Sequence, residues 1–129
     1  MPRGLTPAHR LAELGVVTSI ATNNMLNPFT PFGDASLVRM ANLYATAAQV
    51  GTDAGLSQVF RMISSDAARL LGDVPPRTAI GESADLIVFA AGSPSAVVAE
   101  IAPAVAGWKR GRASFARAAV RLFAPGQAG

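Results

Sequence analysis

The chain has 129 residues, a mass of 13.2 kDa and a formal net charge of +3, and it suits one modest domain or pieces of two. Half of it is hydrophobic, but 26 of those 65 residues are alanine, so large core side chains are sparse. The lack of cysteine excludes disulfides and thiolate chemistry, the single histidine (His9) excludes a multi-histidine metal site, and no apolar run reaches the ~18 residues of a membrane span. With no secretory h-region at the N-terminus, these features predict a soluble, cytoplasmic protein with no membrane partner.

In chain order, Leu5, His9, Leu11, Ala12 and Leu14 fall at helical spacing after Thr6 and Pro7, an N-cap and a favoured first-turn proline, and Gly15 closes the helix. Val16 to Ala21 is a short β-favouring run, read as a strand buried on both faces. Residues 22–34 form a long loop stiffened by Pro28 and Pro31. Asp34 is placed to cap a helix running to about Val50, with Gly51 ending it. Thr52 or Asp53 caps a third helix with a stripe of Leu56, Val59, Phe60 and Ile63, and Ser65 starts a fourth that Gly72 stops.

Pro75-Pro76 marks the clearest boundary, and the pattern beyond it becomes strand-like. Leu86 to Phe89 reads as a strand, Ser93-Pro94 as the start of a short helix, and Ala104 to Lys109 as another strand. Arg110-Gly111 is a tight turn, followed by a return strand from Ala113 to Phe123. Charge separates along the chain: residues 1–108 carry six basic and eight acidic side chains, while residues 109–129 carry five basic and no acidic ones. Such a tail can meet phosphate, yet only Phe115 and Phe123 interleave with the positives; a solvated hairpin is expected and nucleic acid is not.

Function in parallel α/β folds collects where strands hand over to loops. The strand ending at Ala21 delivers Thr22, Asn23 and Asn24 there, and the loop adds Phe29 and Phe32 as an apolar wall. The simpler alternative is a turn in which asparagine supplies left-handed geometry. His9 is read as a surface or boundary residue, Asp66 as a helix-start carboxylate, Asp85 as a structural hydrogen-bond acceptor, and Tyr44 and Trp108 as packing residues. There is no glycine-rich phosphate loop, nucleophile elbow or histidine-acid motif.

Three segments carry a resemblance. HRLAELGVVTSIATNNMLNPFTPFGD looks like the last helix, eighth strand and following loop of an amidohydrolase barrel; SSDAARLLGD looks like the helix where the barrel closes. AIGESADLIVFAAGSPSAVVAEIAPAVAGWKRGR looks like the return into the small β-sandwich lobe beside it. From about Thr6 to Phe123 the chain thus resembles the C-terminal part of the amidohydrolase superfamily, within it the cytosine-deaminase-like enzymes.

The resemblance implies an α/β chain: residues 1–74 as the end of a TIM-type (β/α)8 barrel (strand eight and closing helices) and residues 75–129 as part of a β-sandwich lobe. It implies a metal-dependent hydrolase acting on non-peptide C–N bonds of a small cyclic amidine or amide. The divalent metal, zinc or iron, is expected only in the full-length enzyme, held by histidines of earlier strands; this chain alone contributes no metal ligand. Where the family's eighth strand ends in aspartate this sequence has Asn23, whose amide can hydrogen-bond but cannot serve as a general base or anionic ligand. Asn23 is thus the catalytic-position residue, and Asn24, Pro28, Phe29 and Phe32 are the substrate-facing candidates. The chain is expected to be a truncated reading frame or a separately encoded subunit, inactive alone and partnered by the missing N-terminal barrel portion or another chain. The alternative is a non-catalytic remnant or subunit that binds a partner chain.

Overall fold

The computed structural model describes residues 4–75, 77–118 and 120. Four helices come first: α1 (Ala8–Glu13), α2 (Leu37–Ala48), α3 (Asp53–Met62) and α4 (Ser65–Leu70). The N-cap of α1 is Pro7 and not Thr6, with no side-chain cap bond. Gly15 ends this turn as expected: it sits at φ 85°, and Val16 N–H donates back to the Leu11 carbonyl at 3.0 Å.

For α2 the cap is Ser36, whose hydroxyl accepts from Arg39 N–H at 3.2 Å; Asp34, expected there, instead accepts from Ser36 N–H. The helix ends at Gln49, in left-handed geometry at φ 56°, two residues before Gly51. Thr52 caps α3 through Gly55 N–H.

The remaining elements are β1 (Leu86–Phe89), α5 (Pro94–Ala99), β2 (Ala104–Lys109) and β3 (Arg112–Ala116). Ser93 caps α5 by accepting from Ala96 N–H, with Pro94 in its first turn. The strands form one antiparallel sheet in the order β1-β2-β3. Arg110 and Gly111 both take positive φ, as a two-residue hairpin turn with the sheet's own twist requires. β3 stops at Ala116, short of the expected Phe123, and residues 121–129 lie outside the described residues.

The core is made by helices. Ala41, Tyr44 and Ala45 of α2 meet Val59 and Met62 of α3, and Val98 of α5 completes the cluster from beyond the expected division at residue 75. Val59, Met62 and Val98 are fully buried, each contributing on the order of 1.5–3 kcal/mol by leaving water. Asn42 of α2 reinforces the joint by donating to the Val98 carbonyl at 2.9 Å, satisfying a helix-end acceptor.

One expectation changes here. Val16 to Ala21 forms no strand: apart from the turn bond at Val16, one main-chain bond, Ile20 N–H to the Met62 carbonyl at 3.1 Å, ties it to the body. A strand exists only through a neighbour, and every strand of the described residues lies beyond residue 85. The described residues make helices and a single three-stranded sheet. No described helix is long and apolar enough to cross a membrane.

Candidate functional site

The loop of residues 22–36 lies against α2 and leaves a cleft of about 430 Å³. Asn27 organises the loop. Its side-chain oxygen accepts from Phe29 N–H and Thr30 N–H, its main chain pairs both ways with Thr30, and its amide donates to Asn24 Oδ1 at 2.9 Å. This is an asparagine turn of the kind that Asn-Pro sequences favour. Asn24 N–H donates to the Thr22 carbonyl at 2.8 Å, closing a three-residue turn over Asn23, which sits at φ 61°.

Of the residues expected at a site, Thr22, Asn24 and Phe32 line the cleft; Asn23, Pro28 and Phe29 do not. Asn23 is exposed and makes no side-chain hydrogen bond among the described residues. Its conformation matches the turn alternative, since asparagine tolerates left-handed geometry better than most residues. Phe29 is 79% exposed at the loop tip, an apolar ring with no cover.

The cleft also holds an ion pair that sequence reasoning missed, Arg39 Nε to Asp34 Oδ1 at 3.4 Å. The carboxylate is already engaged by Ser36 N–H, so it anchors the guanidinium across the entrance of α2. The sequence places Asp34 as a helix cap, and a five-residue separation across a cap carries no periodic signal. Gly33, at φ 121°, lets the chain pass: a side chain there would be strained by the backbone and would crowd Met25 Cγ. With Met25, Met40 and Leu43 as apolar lining, the cleft can take a small flat molecule between sulfur-rich walls. Asn24 Nδ2, the Arg39 guanidinium and the hydroxyls of Thr22, Thr30, Ser36 and Thr46 are among the lining groups able to donate.

Asp85, outside the cleft, accepts from Lys109 Nζ and Arg110 N–H, the structural role expected of it. The Lys109 hydrogen bond first, then that of Arg110, holds its carboxyl below the ordinary aspartate range. His9 is a boundary residue, half-buried: its Nδ1 lies 2.8 Å from the Tyr44 hydroxyl, which also accepts from His9 N–H. Trp108 is more than a third exposed, so it packs only in part. Among the described residues no three histidine, aspartate or glutamate side chains converge, and the cleft's one carboxylate is paired with Arg39. The donor set does not fit a divalent metal.

In its order of elements and in its sequence, the chain is similar to cytosine-deaminase-like proteins of the amidohydrolase superfamily. N-isopropylammelide isopropyl amidohydrolase of Pseudomonas sp. (strain ADP) is 29% identical over 107 residues, and pterin deaminase of Rhizobium rhizogenes 35% identical over 92 residues. Those alignments cover 82% and 69% of this chain but 27% and 20% of the relatives, so the chain spans under a third of their length. Among solved structures, 5-methylcytosine deaminase from Klebsiella pneumoniae, liganded with 5-fluorocytosine, superposes with a TM-score of 0.85 at 18% identity. It covers 94% of this chain and 30% of its own; the form liganded with phosphonocytosine gives a TM-score of 0.82. No protein-family model matches the chain.

Proposed function

We propose that the chain is the C-terminal part of a metal-dependent amidohydrolase that cleaves non-peptide C–N bonds in a small cyclic amidine or amide, and that it is inactive alone. The observation that carries this reading is the superposition over 94% of the chain on a cytosine-type deaminase, joined to two sequence relatives that are an amidohydrolase and a deaminase. Residues 1–74 would be the end of the barrel, with Val16 to Ala21 as its eighth strand, and residues 75–129 a segment of the sandwich lobe. The cysteine-free sequence fits a reducing, cytoplasmic setting.

Within this chain the work is binding and orientation. Asn24 and Arg39 offer donors to a substrate carbonyl or ring nitrogen, and Met25, Phe32 and Met40 flank the ring. Asn23, at the family's aspartate position, can hydrogen-bond but not move a proton near neutral pH. Pro28 and Phe29 shape the loop tip that faces the remainder of the enzyme. The zinc or iron of the complete enzyme is assigned to histidines outside this chain.

The amide at Asn23 favours a second reading, a non-catalytic subunit that binds a partner chain. Reading the coding DNA upstream of Met1, and assaying the native product for bound metal and ammonia release, separates the two. An in-frame barrel with a His-x-His pair and a metal-loaded product that releases ammonia support the first. A metal-free product that releases no ammonia from cytosine, pterin or ammelide-type rings overturns it.

A further inference from the structure

We infer that Asn27 is a positioning residue: it holds the Asn24 amide with its N–H side toward the cleft, so that Asn24 selects the oxo edge of an amino-oxo ring. The polarity of Asn24 stands on the loop's hydrogen bonds alone; the kind of ring rests on the function proposed above.

An asparagine amide has nearly the same shape at its two ends and opposite chemistry, one end accepting and the other donating. The end that faces a ligand decides what the ligand must offer. In this loop the backbone makes the choice. Asn27 Oδ1 accepts from Phe29 N–H at 3.0 Å and from Thr30 N–H at 2.9 Å. Main-chain N–H groups only donate, so the atom they share is the oxygen and the other end of Asn27 is Nδ2. That nitrogen lies 2.9 Å from the Asn24 side chain and, as a donor, it meets Oδ1. Asn24 Nδ2 is left on the far side of its own amide, where it donates to no group among the described residues. Asn24 is half-buried and lines the cleft.

Asn27 is itself held in place. It exchanges main-chain bonds with Thr30 in both directions, each at 3.1 Å, and Pro28 keeps it out of the helical region. Turning its amide over would set Nδ2 against two N–H groups. Asn27 does not line the cleft, so it acts on a ligand only through Asn24.

A pair of N–H groups recognises a lone pair, on a ring carbonyl oxygen or an unprotonated ring nitrogen. An exocyclic amino group in the same place would oppose N–H to N–H. On a ring that carries both, the amino group removed by deamination therefore lies away from Asn24, and the loop reads the oxo edge. Asn27→Asp keeps the shape and still accepts from Phe29 and Thr30, but its second oxygen needs a donor. Asn24 then turns Nδ2 toward Asp and shows Oδ1 to the cleft.

NMR of the side-chain amides in the isotopically labelled 129-residue chain tests this. The Asn24 amide protons should exchange fast with water, and about tenfold more slowly in Asn27→Asp, with Thr30 N–H protected in both. The chain should prefer 1,3-dimethyluracil, which has carbonyl acceptors and no N–H, over aniline, which presents N–H. Asn27→Asp should reverse that order, the affinity ratio changing by about tenfold or more. Asn24→Asp, with no N–H of its own, should lose dimethyluracil and leave Thr30 protected. A purely structural Asn27 would weaken both probes alike in Asn27→Asp; that result, an unreversed preference or no binding of either probe overturns the inference. If Asn27→Asp loses the Thr30 protection, Asn24→Asp decides, and a preference for dimethyluracil that survives it overturns the inference. A chain that behaves as expected, from a native product with neither metal nor ammonia release, sinks the proposed function and keeps the role of Asn27. A metal-loaded product that releases ammonia, with probes indifferent to Asn24, does the reverse.

Discussion

Asp85 accepts from Lys109 Nζ and from Arg110 N–H, both at 2.6 Å, so one carboxylate at the start of β1 pins the far hairpin turn. Both bonds favour its charged form and depress its pKa. A carboxylate whose folded pKa is depressed stabilises the fold above its unfolded value and loses that contribution as pH falls through the folded value. The chain should therefore melt above Asp85→Asn at neutral pH, with the gap closing below about pH 4. Melting curves of both proteins from neutral to acid pH check this; a gap independent of pH would assign the effect to packing.

Gly107 sits beneath the Phe115 ring of the neighbouring strand, where a methyl group would overlap the ring edge. Gly107→Ala should cost about 1–3 kcal/mol through this overpacking. Phe115→Ala in the same chain should recover most of that loss, because the clash is with this one ring. A double-mutant cycle by urea unfolding measures the coupling.

Tyr44→Phe removes the hydroxyl that receives His9 N–H and meets His9 Nδ1. Helix α1 has no buried residue, so these bonds, with Gln58 Nε2 donating to the His9 carbonyl, are much of its anchorage. A loss of about 1–2 kcal/mol is expected, since a backbone donor is left unpaired. Exchange of the α1 amides should accelerate more than that of α3.

Asn27→Ala withdraws the acceptor of Phe29 and Thr30 and the donor to Asn24. The loop should loosen while the helical core, which it does not enter, keeps its melting midpoint. Chemical-shift changes confined to residues 22–36 would agree; a fall of the midpoint by more than a few degrees would show that the loop is coupled to the core.

Zinc or ferrous iron added to the 129-residue chain should leave its midpoint where it was. A real site filled at about 100 times its dissociation constant would add about 2.7 kcal/mol. Such a gain would show ligands converging that the described residues do not bring together.

Much of this was legible from local patterns. Ser93-Pro94 opening α5, Gly15 closing α1, the Arg110-Gly111 turn and the Asp85 acceptor all depend on neighbours within a few residues or on one strand pairing. The cleft was legible only in part. Thr22, Asn24 and Phe32 reach it, but Asn23 and Phe29 point elsewhere because left-handed turns at Asn23 and Leu26 redirect the chain. The Asp34–Arg39 pair was hidden for a related reason: Ser36 takes the cap, which frees the aspartate to hold the arginine.

By itself the sequence determined the helix and strand propensities, the caps and turns, the absence of thiol and multi-histidine chemistry, and the likeness to amidohydrolases. These are properties of short windows and of composition, which need no distant contact. Tertiary structure alone decided that Val98 crosses the Pro75 boundary into the helical core, and that Gly107 makes room for Phe115. It also decided that Val16 to Ala21 has no strand to pair with among the described residues. Each depends on which distant residues meet, and a strand or a buried face acquires its form only from the surface that covers it.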